Sequence, residues 1–246
     1  MANGILNVAA YRFVEIDDLP QLRQRLNDSA TALGLRGTVL LAPEGINLFL
    51  AGAPDAVRTW LDVLRADARF AGLNVKDSWS ETAPFQRLRV RLKREIIRMN
   101  QPAVRPAQGR APSVDAPTLA RWLSQGHCDQ GRPVLMLDTR NAFEVDQGAF
   151  AGAVDWRLQR FSDFPEALAR HGAALAGHTV VSYCTGGIRC EKAALWMRDQ
   201  GLPHTLQLDG GILRYFERLP DAPHFQGRCF VFDERHSLGA DLRPGS

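Results

Sequence analysis

Two short runs, "PVLMLDTR" at 133–140 and "HTVVSYC" at 178–184, narrow the choice of fold most for this chain. Their centres, 134–137 and 180–183, are almost continuously apolar instead of alternating. A strand with one wet face alternates polar and apolar residues, whereas a strand covered on both faces does not. Helical patterns fall at 118–125, 143–146, 162–171, 188–200 and 212–219, and further strands are expected at 152–156 and 204–211. Strands interleaved with helices predict a parallel α/β sheet, whose ligands sit beyond the carboxyl ends of the strands. Cys184 stands at such an end.

The first hundred residues follow a different plan. Strands are expected at 5–16, 37–42, 45–52, 73–80 and 85–99, with amphipathic helices at 17–34 and 54–68. Asp17, Asp18 and Pro20 are suited to a helix start, and Leu22, Leu26, Ala30 and Leu33 repeat at helical spacing. The order β-α-β-β-α-β predicts a ferredoxin-like α+β domain. Residues 101–117 hold four prolines and little apolar material, the composition of a linker. The expected division is a ferredoxin-like domain over 1–100, a linker over 101–117, a parallel α/β domain over 118–222 and a C-terminal extension over 223–246.

Composition excludes several classes. With 45% hydrophobic and 23% charged residues, the chain reads as an ordinary globular protein. No apolar run approaches the ~20 residues of a membrane helix. The N-terminus lacks the basic lead of a signal peptide. The four cysteines, Cys128, Cys184, Cys190 and Cys229, form no CxxC pair, which suits a reducing cytoplasm and argues against a structural zinc site. The six histidines form no metal-binding cluster, and no flavin, haem, iron or dinucleotide motif stands out, so no metal or cofactor is expected.

The stretch "YCTGGIRCEKAA" carries the chemistry. Cys184 ends a buried strand; Gly186 and Gly187 allow a tight curl that turns amides inward. The helix expected from Ile188 offers its N-terminal N–H groups to the same space, and Arg189 adds a guanidinium. Donors and positive charge favour a thiolate. Only Thr185, Gly186, Gly187 and Ile188 separate Cys184 from Arg189. A phosphatase-type loop has one residue more, so this ring suits a single extra sulfur atom better than a tetrahedral oxyanion. Cys190 reads either as a resolving thiol or as a packed core cysteine, the second being the commoner fate.

"LDTRNAFEVDQGAFAGAVD" (137–155), "VVSYCTGGIRCEKAALWMRDQGL" (180–202) and "LDGGILRY" (208–215) together resemble a rhodanese domain. That resemblance implies a persulfide-carrying Cys184, with Asp138, Arg140 and Glu144 bracing the loops around it. The chain departs from the family at Gly148-Ala149, where Gly-His is common. Across nearly its whole length, "GTVLLAPEGINLFLAG", "CTGGIRCEK", "LDGGILRYFE" and "GRCFVFDER" resemble the bacterial tRNA uridine hydroxylases, a rhodanese-containing family. The implied activity is oxygen-dependent conversion of the wobble uridine to 5-hydroxyuridine. The implied partner is tRNA, not DNA or a membrane, with molecular oxygen as co-substrate. Many members continue past "FVFDER" into a cysteine-rich tail.

The residues give some independent support for an RNA partner. Residues 1–105 carry 15 Lys/Arg against 11 Asp/Glu, whereas residues 106–246 carry 15 against 16. Within 85–99, Arg87, Arg89, Arg91 and Lys93 alternate with Leu88, Val90 and Leu92, which puts four cations on one strand face. A phosphate backbone would offset their repulsion. The alternative is a solvated strand face neutralised by acids such as Glu81 and Glu95. Two other functions stand beside the hydroxylase: a sulfurtransferase using a small sulfur donor, and a non-catalytic rhodanese-like binding module. The intact cysteine loop argues against the module.

Overall fold

The computed structural model describes residues 4–245. The chain divides into two compact units, one running to Ile97 and including Phe232–Arg235, the other holding Arg98–Val231 and the segment from His236 onward.

The first unit contains β1 (Ile5–Phe13), α1 (Leu19–Ala32), β2 (Arg36–Ala42), β3 (Gly45–Gly52), α2 (Pro54–Arg65), β4 (Val75–Ser80) and β5 (Leu88–Leu92). Proline in the first turn starts both helices, a position where the missing N–H costs nothing. Asp55 in the first turn and Arg65 in the last complement the dipole of α2. The sheet order is β4-β1-β3-β2-β5. Its first four strands are antiparallel neighbours, and β5 lies parallel to β2. The β-α-β-β-α-β order is therefore present, with one strand added. Period two sends Leu6, Val8, Ala10, Val39, Leu41, Ile46, Leu48, Leu50 and Val90 into one core with Leu22, Leu26, Trp60, Leu61 and Leu64 of the helices. Burying each large apolar side chain there stabilises by about 1.5–3 kcal/mol.

The strand expected over 85–99 is shorter than its pattern. The ladder ends near Lys93, whose N–H donates to Leu41 O at 2.7 Å. Beyond it, Ile96 N–H donates to the Glu44 carboxylate and Ile96 O accepts from Asn47, so side chains replace the strand partner. Val90 is buried, but Leu92 is 43% exposed, because this short strand sits at the sheet edge.

The second unit takes in the whole stretch read as a linker. Residues Ser113–Val114 form β6, which pairs with a strand far along the chain and is followed at once by α3 (Ala116–Gln125). Asp115 caps α3 by accepting from Thr118 N–H. Proline content signals irregular backbone, but a two-residue strand completed by a distant partner leaves no local periodicity to read. Then come β7 (Val134–Asp138), α4 (Ala142–Val145), β8 (Gly148–Phe150), β9 (Val154–Asp155), α5 (Phe164–His171), β10 (Thr179–Tyr183), α6 (Ile188–Asp199), β11 (Thr205–Leu208) and α7 (Gly211–Arg218). Three short strands follow, β12 (Phe225–Gly227), β13 (Cys229–Phe230) and β14 (Ser237–Leu238).

The main sheet, β6-β11-β10-β7-β9, is parallel throughout, as the unbroken apolar runs require. Every residue of β10 is buried. Val181 and Tyr183 share a core with Leu119, Trp122, Ile212 and Phe216 of α3 and α7. Ser182, one residue out of phase, instead turns toward α6 and donates to Cys190 O at 3.5 Å. The central strand that delivers Cys184 is thus covered on both sides.

Candidate active site

Cys184 follows directly on β10, and α6 begins four residues later. Gly187, at φ 100°, occupies the left-handed region and serves as the N-cap of α6. From there its N–H donates to Cys184 Sγ at 3.1 Å. Cys190, on the first turn of α6, places its Sγ 3.9 Å from Cys184 Sγ and 2.9 Å from Gly187 O. Cys184 and Cys190 are both fully buried, while Gly186 is half-buried with open space where a Cβ would stand.

Burial by itself pushes the Cys184 thiol up. The Cys190 hydrogen bond, the Arg189 charge and the N–H groups of Cys190 and Arg189 outweigh it, and Cys184 falls well below the ordinary thiol value. Cys190 moves the opposite way, raised by burial and by the neighbouring Cys184. The pair therefore holds one proton preferentially on Cys190.

The guanidinium of Arg189 does not stand free over the loop. Its Nη1 and Nη2 fork onto Glu144 Oε2 and Oε1 at 2.6 and 2.7 Å, with both side chains almost wholly buried. Glu144 also accepts from Asn141 N–H and from Thr185 Oγ1. Burial raises the Glu144 carboxyl, but the charge and hydrogen bonds of Arg189 reverse this and bring it below the usual value. The fork ties α4 to the cysteine loop.

Behind it lies a second fully buried pair. Arg140 Nη2 reaches Asp138 Oδ2 at 2.6 Å and also donates to Gly148 O, while Nη1 reaches Glu144 O at 3.3 Å. Thr139 donates through its N–H and its hydroxyl to Tyr183 O, which joins the ends of β7 and β10. Asp138, Arg140, Glu144, Cys184, Thr185 and Arg189 thus belong to one continuous buried network. Ile188 is buried as the first residue of α6.

Two contributors escaped the sequence reading. Gly211, read as part of a plain strand-to-helix turn, lies against the loop. A Cβ there would stand 2.4 Å from Cys184 O and 2.7 Å from Gly187 N, at φ +67°. In the same place, Ile212 N–H donates to Cys184 O and Leu213 N–H to Thr185 O, so the start of α7 pins the loop's carbonyls. The paired glycines of "LDGG" were the available signal. The other contributor is β13: Phe230 O accepts from Thr185 Oγ1, and Phe230 packs edge-on against Phe143. Nothing in the sequence linked residue 230 to residue 185.

The basic strand belongs to the first unit. Arg89 and Arg91 are exposed on the sheet-edge strand β5, opposite Thr38 and Leu40, and Arg87 and Lys93 are exposed just beyond its two ends. Among the described residues, no group of three or more His, Cys, Asp or Glu is arranged to hold a metal ion, and no helix is long and apolar enough to cross a membrane.

Comparison with known proteins agrees with both halves of the expected fold. Residues 5–96 match the UPF0176 acylphosphatase like domain, and residues 119–217 match the rhodanese-like domain. A Variovorax paradoxus protein named tRNA uridine(34) hydroxylase is 64% identical over 238 residues, covering 97% of this chain and 90% of that one. A Bordetella avium protein of the same name is 62% identical, covering 98% of this chain and 99% of its own length. A Delftia acidovorans protein of that name is 60% identical, with coverage of 98% and 91%.

Proposed function

The chain belongs to the tRNA uridine(34) hydroxylase family, and on that footing we propose that it hydroxylates uridine 34 of tRNA to 5-hydroxyuridine, with dioxygen as co-substrate. The observation that carries this reading is high identity along almost the entire chain to relatives of that name. It favours hydroxylation over the sulfurtransferase alternative, which would need a small sulfur donor as partner. The setting is the cytoplasm, and the polynucleotide partner is tRNA, not DNA.

In this reading Cys184 is the reactive group, kept ionised by the Cys190 hydrogen bond, the Arg189 charge and the N–H groups of Cys190 and Arg189. Arg189 and Glu144 act as positioning residues, holding Thr185 and the loop through their fork. Asp138 and Arg140 brace the fork from behind. Arg87, Arg89, Arg91 and Lys93 supply the electrostatic grip on phosphate.

The deciding experiment measures nucleosides in tRNA from cells lacking this protein. Loss of 5-hydroxyuridine and its derivatives, restored by the wild-type chain but not by Cys184→Ser, is the expected result. Normal nucleoside levels in the deletion strain refute the assignment.

A further inference from the structure

Hydroxylation by dioxygen carries an electron requirement of its own. One oxygen atom enters the C5–H bond of uridine and the other leaves as water. Dioxygen takes up four electrons, of which oxidation of the C–H bond supplies two. A further two electrons and two protons must come from elsewhere.

We propose that Cys184 and Cys190 are the immediate two-electron donor, closing to a disulfide once per uridine hydroxylated. The inference rests on the hydroxylase reading above. The balance is complete: uridine C5–H, dioxygen and two thiols give C5–OH, water and one disulfide. The O–O bond breaks, the C–O and S–S bonds form, and the second oxygen leaves as water, taking one proton from Cys190 and one from solvent, the latter replacing the proton Cys184 released on ionising. A dithiol reductant of the cell then reopens the disulfide by thiol–disulfide exchange, restoring both thiols.

The geometry supports this pairing. The Sγ atoms of Cys184 and Cys190 already lie 3.9 Å apart. Cys128 is engaged with Thr179 and Gln130, and Cys229 hydrogen-bonds toward Phe230 O. A disulfide requires about 2.05 Å between sulfurs, so side-chain rotation and a small backbone adjustment must close the gap. The segment between the two cysteines contains Gly186, with open space around its Cβ position, and Gly187, already in the left-handed region. The protons are also suitably placed: Cys184 is drawn toward the thiolate while Cys190 keeps its proton. One sulfur is ready to react and the other to resolve.

A packed core cysteine, the ordinary fate of such a residue, predicts none of the following results. The full chain is reduced, freed of external reductant and mixed with tRNA in aerated buffer. 5-Hydroxyuridine, free thiols and cross-linked peptides are then counted in the same sample. The expected outcome is one 5-hydroxyuridine and one Cys184–Cys190 disulfide for each pair of thiols lost, with Cys128 and Cys229 still reduced. Without tRNA, the disulfide should form far more slowly. 5-Hydroxyuridine appearing with all four thiols intact overturns the donor role, as does a disulfide forming equally fast without tRNA. If the wild-type chain makes no 5-hydroxyuridine at all, the hydroxylase reading falls first and this role falls with it. A Cys190→Ser chain that remains folded should lose single-turnover product while keeping tRNA affinity. Wild-type yield from that variant would count equally against the proposal.

Discussion

Glu144 and Arg189 meet through two hydrogen bonds of 2.6 and 2.7 Å in a space closed to water, so the loop's only guanidinium is neutralised by its own brace. Removing one charge from such a pair strands the other. Glu144→Gln is expected to destabilise the fold by about 3–5 kcal/mol, because Arg189 would lose its hydrogen-bonded counter-charge while staying buried. The same change should draw the Cys184 thiol lower still, since the remaining positive charge favours the thiolate. Denaturant unfolding and the ultraviolet absorbance of the thiolate measure the two effects separately. An unchanged unfolding midpoint would show that the fork contributes nothing.

Gly211→Ala tests the close approach of α7 to the cysteine loop. A left-handed conformation costs an alanine roughly 1–2 kcal/mol wherever it occurs. At Gly211 the new methyl would also meet Cys184 O at 2.4 Å and Gly187 N at 2.7 Å. Gly177, at φ +82° with nothing within 4 Å of its Cβ position, supplies the control. Gly177→Ala should lower stability modestly and spare hydroxylation, whereas Gly211→Ala should lower stability further and impair turnover. Equal effects of the two substitutions would reduce Gly211 to an ordinary turn residue.

These two residues mark how far the sequence could be read. Cys184 at the end of a buried strand was legible, because unbroken apolar runs, paired glycines and a following helix are all local signals. Gly211 was legible as a glycine but not as a neighbour of Cys184, since 27 positions separate them and the contact is between backbones. Glu144 was expected to brace the loops, but that Arg189 is the group it holds was likewise hidden. A positive charge in a sequence announces itself, but the acid that cancels it arrives from another element. The short strands β6 and β12, each completed by a distant partner, were invisible for the same reason. In β5 the alternation did declare the exposed cations, yet it overran the strand, because nothing in the periodicity marks where the partner β2 ends.

The acidity of Cys184 predicts a pH profile. A thiol lowered by hydrogen bonds and charge is already ionised at neutral pH, so thiolate absorbance should rise with a midpoint below the usual value near 8.5. Activity is then lost as acidification reprotonates the sulfur, not as pH rises through neutrality. Cys190→Ala removes a donor to that sulfur. The midpoint should then rise toward the ordinary thiol value. A variant that titrates like wild type would show that Cys190 does not stabilise the thiolate.

The basic edge strand predicts a salt dependence that can be removed piecemeal. Arg89 and Arg91 project from the same face of β5, two residues apart, and both are exposed. A cation that neutralises a phosphate releases a bound counterion, so affinity falls with salt by a logarithmic slope of about 0.7–0.9 for each contact. The double variant Arg89→Gln/Arg91→Gln should therefore bind tRNA more weakly at low salt and with a slope shallower by about 1.4–1.8. Turnover at saturating tRNA should persist, so the loss appears in KM and not in kcat. Arg121, exposed and paired with Asp129 in the other unit, is the control; Arg121→Gln should leave the slope unchanged. If the double variant keeps the wild-type slope, phosphate is gripped elsewhere and the charges of β5 are only a solvated edge.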